Sequence, residues 1–242
     1  MRTALAVLAL AAVVFLAYHP VLGFGMLGHD TYPVLASSTV HSPVDFLHLF
    51  TEKLMGGRFW SDFYRPVLNV TFSLDHALWG LDPFGFQLST LLFFLACVLS
   101  IFFFVRRLAG PGARLAPFAA ALVFALYPYQ WEVLPSPSRR PEVLCCLFSV
   151  LSLHTLLAPS RLARMRPAIL PGLLALVAIG SKETALLLPP LAFLLVLLYS
   201  TRSGFLRRLG HALVLVSPLI LAGALALAAR FGVIGGLGGH DT

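Results

Sequence analysis

Seven apolar runs divide the chain, at about 4–23, 85–105, 115–131, 141–158, 168–180, 184–200 and 211–229. Several approach the twenty residues that cross a bilayer as a helix. The pattern predicts an all-α, polytopic transmembrane helical bundle of about seven spans. The run at 4–23 follows Arg2, but it is long and lacks a small-x-small cleavage signature, so it reads as an uncleaved first span. Run 168–180 would extend only about 20 Å as a helix. A tight turn at Gly180-Ser181-Lys182-Glu183 is therefore expected between it and the next run.

The polar stretch 24–84 has a pattern of its own. Residues 43–55 place Val44, Phe46, Leu47, Leu49, Phe50 and Leu54 at helical spacing, with Gly56 and Gly57 as a stop. Residues 67–79 repeat this with Val67, Leu68, Val70, Phe72, Leu74, Leu78 and Trp79. Both suit amphipathic helices lying on the membrane, and Trp60, Tyr64 and Trp79 suit the interfacial aromatic belt. Residues 1–242, this loop included, read as a single transmembrane domain.

Composition agrees. Of 242 residues, 59% are hydrophobic and 11% charged, about half the charge of a soluble domain; mean hydropathy is +0.89. The net charge of +7 resides in short Arg clusters between apolar runs. These mark cytoplasmic loops beside anionic lipid, not a nucleic-acid surface. Cys97, Cys145 and Cys146 lie in apolar runs and show no zinc spacing. His19, His41, His48, His76, His154 and His211 show no metal-ligand spacing either. Asn69-Val70-Thr71 matches a glycosylation sequon and is given no weight.

Placing the N-terminus in the cytoplasm puts ten Lys/Arg inside and seven outside, with all the short-loop clusters inside. The outer seven are Lys53, Arg58, Arg65, Arg139, Arg140, Lys182 and Arg230. All ten acids, from Asp30 to Asp241, then fall outside. Orientation rules do not require this, so the acidic face calls for another explanation, such as chemistry.

Four outer clusters are candidates: His29-Asp30-Thr31-Tyr32; Phe63-Tyr64-Arg65-Pro66; Tyr127-Pro128-Tyr129-Gln130-Trp131-Glu132 with Arg139-Arg140-Pro141-Glu142; and Ser181-Lys182-Glu183. A carboxylate can take a proton from an attacking hydroxyl. Arg and Lys can hold a phosphate and stabilise it as it leaves. Plainer roles stand beside these. Asp30 would be a solvated loop residue and Arg65 a headgroup anchor. Glu132 and Glu142 would pair with Arg139 and Arg140. Ser181 would cap a helix that has Glu183 in its first turn, and Lys182 would snorkel. Asp45, Glu52, Asp62, Asp75 and Asp82 read as polar faces.

The order of these motifs resembles a family. Tyr64-Arg65-Pro66-Val67-Leu68-Asn69, continuing through Ala77-Leu78-Trp79-Gly80-Leu81-Asp82-Pro83-Phe84-Gly85-Phe86, is similar to the first outer loop of the transmembrane and tetratricopeptide-repeat O-mannosyltransferases, members of the GT-C superfamily. Tyr127-Pro128 with Glu132, Arg139-Arg140-Pro141-Glu142, and Ser181-Lys182-Glu183 resemble its next two segments, so the likeness covers about residues 1–200. It implies the N-terminal membrane part of a hexosyltransferase that moves a sugar from a polyprenyl-phosphate donor to a hydroxyl of a protein or glycan on the periplasmic or lumenal face. The membrane expected is the bacterial inner membrane.

In that reading Asp30 is the catalytic base and Glu132 the second acid. Arg65, Arg139, Arg140 and Lys182 meet the donor phosphate, and His29, Tyr64, Glu142 and Glu183 support them. No metal site is assigned, although carboxylates can bind a divalent cation. His29-Asp30 stands where the family often has two acids, Gln130 replaces a His, and the chain has fewer spans than such enzymes. A truncated gene, a fragment or half of an assembly therefore stay open, as do a lipid-linked-sugar carrier or flippase component and a non-catalytic membrane scaffold.

Overall fold

The computed structural model describes residues 3–28, 31–40, 42–57, 62–110, 112–113, 115–158, 169–200 and 204–236. His29, Asp30, Arg58 and Trp60 lie outside these residues, as do Asp241 and the inner arginines Arg2, Arg114, Arg161, Arg164, Arg166 and Arg202. Every regular element among the described residues is a helix, and none is a strand. The helices are α1 Thr3–Tyr18, α2 Thr31–Ser38, α3 Pro43–His48, α4 Pro66–Trp79, α5 Pro83–Ala109, α6 Ala116–Ala125, α7 Gln130–Val133, α8 Arg140–Leu156, α9 Ile169–Ser181, α10 Leu188–Tyr199 and α11 Phe205–Ile234. Three helical stretches are long and apolar enough to cross a membrane: Thr3–Gly23, Pro83–Ala109 and Phe205–Ile234. The shorter apolar helices are Ala116–Ala125, Ile169–Ser181 and Glu183–Tyr199. The chain is an integral membrane protein.

A helix in hydrocarbon satisfies its own backbone, so its packing rests on shape and on a few polar ties. Ala6, Leu10, Val14 and Tyr18 recur every fourth residue and are buried. They meet Leu91, Phe94 and Val98 of α5 and Ala121 and Ala125 of α6, and the Tyr18 hydroxyl donates to the Ala125 carbonyl at 2.7 Å. A second core joins α8 to α11 through Leu156, Ala175, Ala192, Leu215 and Leu219. There Gly172 of α9 meets Pro218 of α11, where an added Cβ would lie 2.7 Å from the proline ring. Small residues at helix crossings let the backbones approach this closely.

The loop 24–84 is less superficial than its pattern suggests. The expected helix at 43–55 is only Pro43–His48, followed by a 3-10 turn at Leu54–Gly57. Leu49, Leu54 and Met55 are buried. The unexpected α2 brings Val34 and Leu35 against Leu54 and Met55, and together they cover Leu68, Phe72 and Phe86. Helix α4 forms where expected, but it buries Leu68, Asn69, Phe72 and Asp75 in the protein, which leaves Asn69 no room for a glycan. Asp75 is a correction: read as part of a polar face, it is only 4% exposed.

Helices α5 and α8 run parallel. Arg140 begins α8 beside Phe86 and Thr90 near the start of α5, and Arg107 in the last turn of α5 donates to the His154 carbonyl near the end of α8. Arg106 reaches Thr3 at the start of α1. The bundle thus has two ends, one with the candidate clusters and one with the N-terminus of α1.

Candidate functional site

Proline sets the first part of the site. Pro66 opens α4 and turns Arg65 into its N-cap position. The guanidinium lies over the Phe63 ring, 4.5 Å from its centre, and grips Glu183 in a fork, Nη2 to Oε1 at 3.0 Å and Nε to Oε2 at 3.4 Å. Glu183 sits in the expected turn: α9 ends at Ser181 and a 3-10 helix begins at Glu183. Arg230, near the end of α11, approaches the same carboxylate at 3.7 Å. Burial alone would raise the Glu183 carboxyl, but the Arg65 hydrogen bonds and the charges of Arg65 and Arg230 outweigh it and hold it below the usual range.

The neighbouring residues interlock with this pair. Lys182 bonds Glu142 in the first turn of α8, and Arg139 bonds Glu132 of α7. That bond raises the Arg139 guanidinium above its ordinary value. Ser181 does not cap the turn; its hydroxyl donates back to the Val177 carbonyl. Glu142 pairs with Lys182 rather than with Arg139 or Arg140. The Tyr64 hydroxyl donates to the Phe50 carbonyl and closes the loop; burial pushes its pKa up.

Arg140 corrects a sequence expectation. It is fully buried, with Nη2 on Asp75 at 2.6 Å and on the Phe86 carbonyl at 2.9 Å, and Nε on Thr90 at 3.0 Å. A guanidinium taken from water needs a carboxylate and further acceptors, and Asp75 and Thr90 supply them. Arg140 braces α4, α5 and α8 and does not line the cleft described next.

Arg65, Arg139 and Glu142 meet in one cleft of about 200 Å³, with Gly28, Ser136, Ser138 and Pro141. Gly28 has φ +89°, and a Cβ there would lie 2.4 Å from Ser136 Oγ, so only glycine lets the chain pass so close. The Thr31 N–H donates to the Gly28 carbonyl at 3.0 Å, and Ser136 donates to the Leu27 carbonyl. The residues on either side of His29 and Asp30 are therefore anchored at the cleft. Among the described residues no group of three His, Cys, Asp or Glu is placed to hold a metal ion.

A second, apolar groove of about 500 Å³ runs between α9 and α11, lined by Leu173, Leu176, Ser217, Pro218, Leu221 and Leu225 among others. Leu225 lies five residues below Arg230 on α11, about 8 Å along the axis. Groove and Arg230 thus share helix α11.

Distant parts of the sequence have met at one end of the bundle. The chain resembles protein O-mannosyl-transferases. It is 34% identical over 90 residues to protein O-mannosyl-transferase TMTC2 of Mus musculus, covering 37% of this chain and 10% of the relative. Against protein O-mannosyl-transferase Tmtc1 of Drosophila melanogaster the identity is 26% over 183 residues, covering 73% and 21%. Against human TMTC4 it is 32% over 101 residues, covering 37% and 14%. The matched stretches span only about a tenth to a fifth of these relatives' length. No family model and no solved structure matches the chain.

The sequence had not singled out Gly28, Asp75, Ser136, Ser138 or Arg230 as site residues. Arg230 alone carried a signal, as a charge closing an apolar run.

Proposed function

We propose that the chain is the membrane part of a GT-C-type glycosyltransferase, crossing the membrane about seven times, with the cleft on the periplasmic or lumenal face. Its donor would be a polyprenyl-phosphate sugar and its acceptor a hydroxyl, on a protein as the names of the relatives suggest. The observation that carries this reading is the cleft where Arg65, Arg139 and Glu142 meet beside Gly28, two residues before Asp30. The apolar groove below Arg230 supports a donor with a long hydrocarbon tail.

In the proposed reaction the acceptor oxygen attacks the anomeric carbon. The bond from that carbon to the phosphate oxygen breaks, and the electron pair leaves with the lipid phosphate. The hydroxyl proton passes to the Asp30 carboxylate. Arg65 and Arg139, with Lys182 behind Glu142, stabilise the charge that builds on the phosphate. Glu132 orients Arg139 and the acceptor, and Arg140 holds the frame.

The test uses the purified chain in lipid with labelled polyprenyl-phosphate sugars and follows release of polyprenyl phosphate. Release by the wild type, with loss in Asp30→Asn and a fall of about 10²–10³ in Arg65→Gln, is the expected result. Undiminished release in Asp30→Asn would remove Asp30 as the base. Binding without release would favour a carrier, and no binding at all a scaffold.

A further inference from the structure

The end of the bundle opposite the cleft holds a second pocket. It measures about 410 Å³ and is lined by Phe103, Arg106, Arg107, Gly110 and His154. Its charge is not balanced as it is at the cleft. Each of the six described cations at the cleft end bonds a carboxylate: Lys53, Arg65, Arg139, Arg140, Lys182 and Arg230. Here Arg106 donates to the Thr3 hydroxyl and Arg107 to the His154 carbonyl, and both acceptors are neutral.

No carboxylate among the described residues is close enough to help. Asp82 caps the N-terminus of α5, and Arg106 lies 24 residues along that helix, about 36 Å away. Asp75, Glu132, Glu142 and Glu183 are tied into the cleft end, as their partners show. Each guanidinium carries five N–H donors in a planar fork, and one acceptor apiece leaves most of them available to a ligand. His154 lines the same pocket, with its Nδ1 buried.

We propose that this pocket binds the phosphate of an anionic phospholipid headgroup. Two guanidiniums form a phosphate-recognising pair, and basic pockets between transmembrane helices are known to take such headgroups. The choice of a lipid over free phosphate rests on Phe103. It lines the pocket about one turn of α5 deeper than Arg107 and is 40% exposed, so a ligand seated on the arginines meets an apolar surface where an acyl chain would run. The proposal is independent of the cleft and of its reaction.

The test places the full chain in nanodiscs of phosphatidylcholine with a minor share of phosphatidylglycerol and counts retained lipid by native mass spectrometry. The wild type should retain phosphatidylglycerol in preference to phosphatidylcholine. The Arg106→Gln/Arg107→Gln double variant should lose about tenfold of that preference, as expected for removing charge-assisted contacts. Arg207→Gln/Arg208→Gln removes the same charge at the same end, outside the pocket lining, and should keep it. An equal loss in both would mean diffuse surface attraction and overturn the proposal, as would no preference in the wild type. Displacement by inorganic phosphate at matching concentration would show that the pocket takes phosphate alone and overturn the lipid assignment. If the double variant does not fold, Arg106→Gln, which alters only an exposed side chain, should show a smaller loss in the same direction; an unchanged preference there would count against the proposal.

Discussion

The two ends of the bundle solve the problem of charge at a membrane boundary differently. At the cleft end arginine and lysine are interlaced with carboxylates drawn from distant parts of the chain, so Arg65 is held by Glu183 and Lys182 by Glu142. At the opposite end Arg106 and Arg107 meet, among the described residues, a hydroxyl and a carbonyl. The first arrangement fixes side chains in place with little net charge, as the proposed reaction would require of its site. The second fixes little and keeps its charge for whatever anion the membrane supplies. Acids therefore order their neighbours at one end, and at the other the described residues leave Arg106 and Arg107 without one.

The sharpest way to break the comparison is to remove a charge where pairing is deepest. Arg140→Ala leaves Asp75 buried without its partner and should cost about 3–5 kcal/mol, seen as a lowered unfolding midpoint in detergent. Replacing both partners with apolar residues, Asp75→Leu with Arg140→Met, should cost much less than the single change. If the double variant is no better than the single, the pair is not the unit that stabilises this end.

A smaller effect is expected at the opposite end. Arg107→Ala removes one charged donor from the His154 carbonyl, one of the last four of α8 and thus without an intrahelical partner. The loss should be about 1–2 kcal/mol. A loss as large as that of Arg140→Ala would show that the two ends are not built differently.

The Glu183 fork is tested by pH. Its carboxyl is held below the usual range, so between its folded value and the unfolded value near about 4.3 the folded state binds fewer protons than the unfolded one. Its contribution is complete above that unfolded value and is lost as pH falls through the folded value. Wild type should therefore lose stability more steeply than Glu183→Gln as acid is added below about pH 4. Parallel curves would mean that Arg65 gains nothing from the charge on Glu183.

Much of this was legible in the sequence, and the failures have a common cause. Apolar runs located the helices because lipid demands them, and Gly180 to Glu183 marked a turn because charge interrupts two such runs. The segregation of acids to one end pointed to the candidate site. Pairing was not legible. Nothing near Asp75 distinguishes it from the solvated acids of its loop, because its partner lies 65 positions later. The pattern of 43–55 looked like a membrane-surface helix because an apolar face says only that something covers it. Helix α2, with weak periodicity of its own, turned out to be part of that cover.

The smallest expected effect falls on the residue next to Arg140. Arg139 is half exposed and bonded to the more exposed Glu132, a pair of the kind that contributes about 0–1 kcal/mol. Arg139→Ala should leave the unfolding midpoint nearly unchanged. If Arg139 meets the donor phosphate, the same variant should still slow sugar release in the assay proposed above. The two adjacent arginines would then separate cleanly, one lost to stability and the other to turnover. A variant of Arg139 that unfolds like Arg140→Ala would mean that this guanidinium, too, is part of the frame, and would leave Arg65 as the main cationic contact of the cleft.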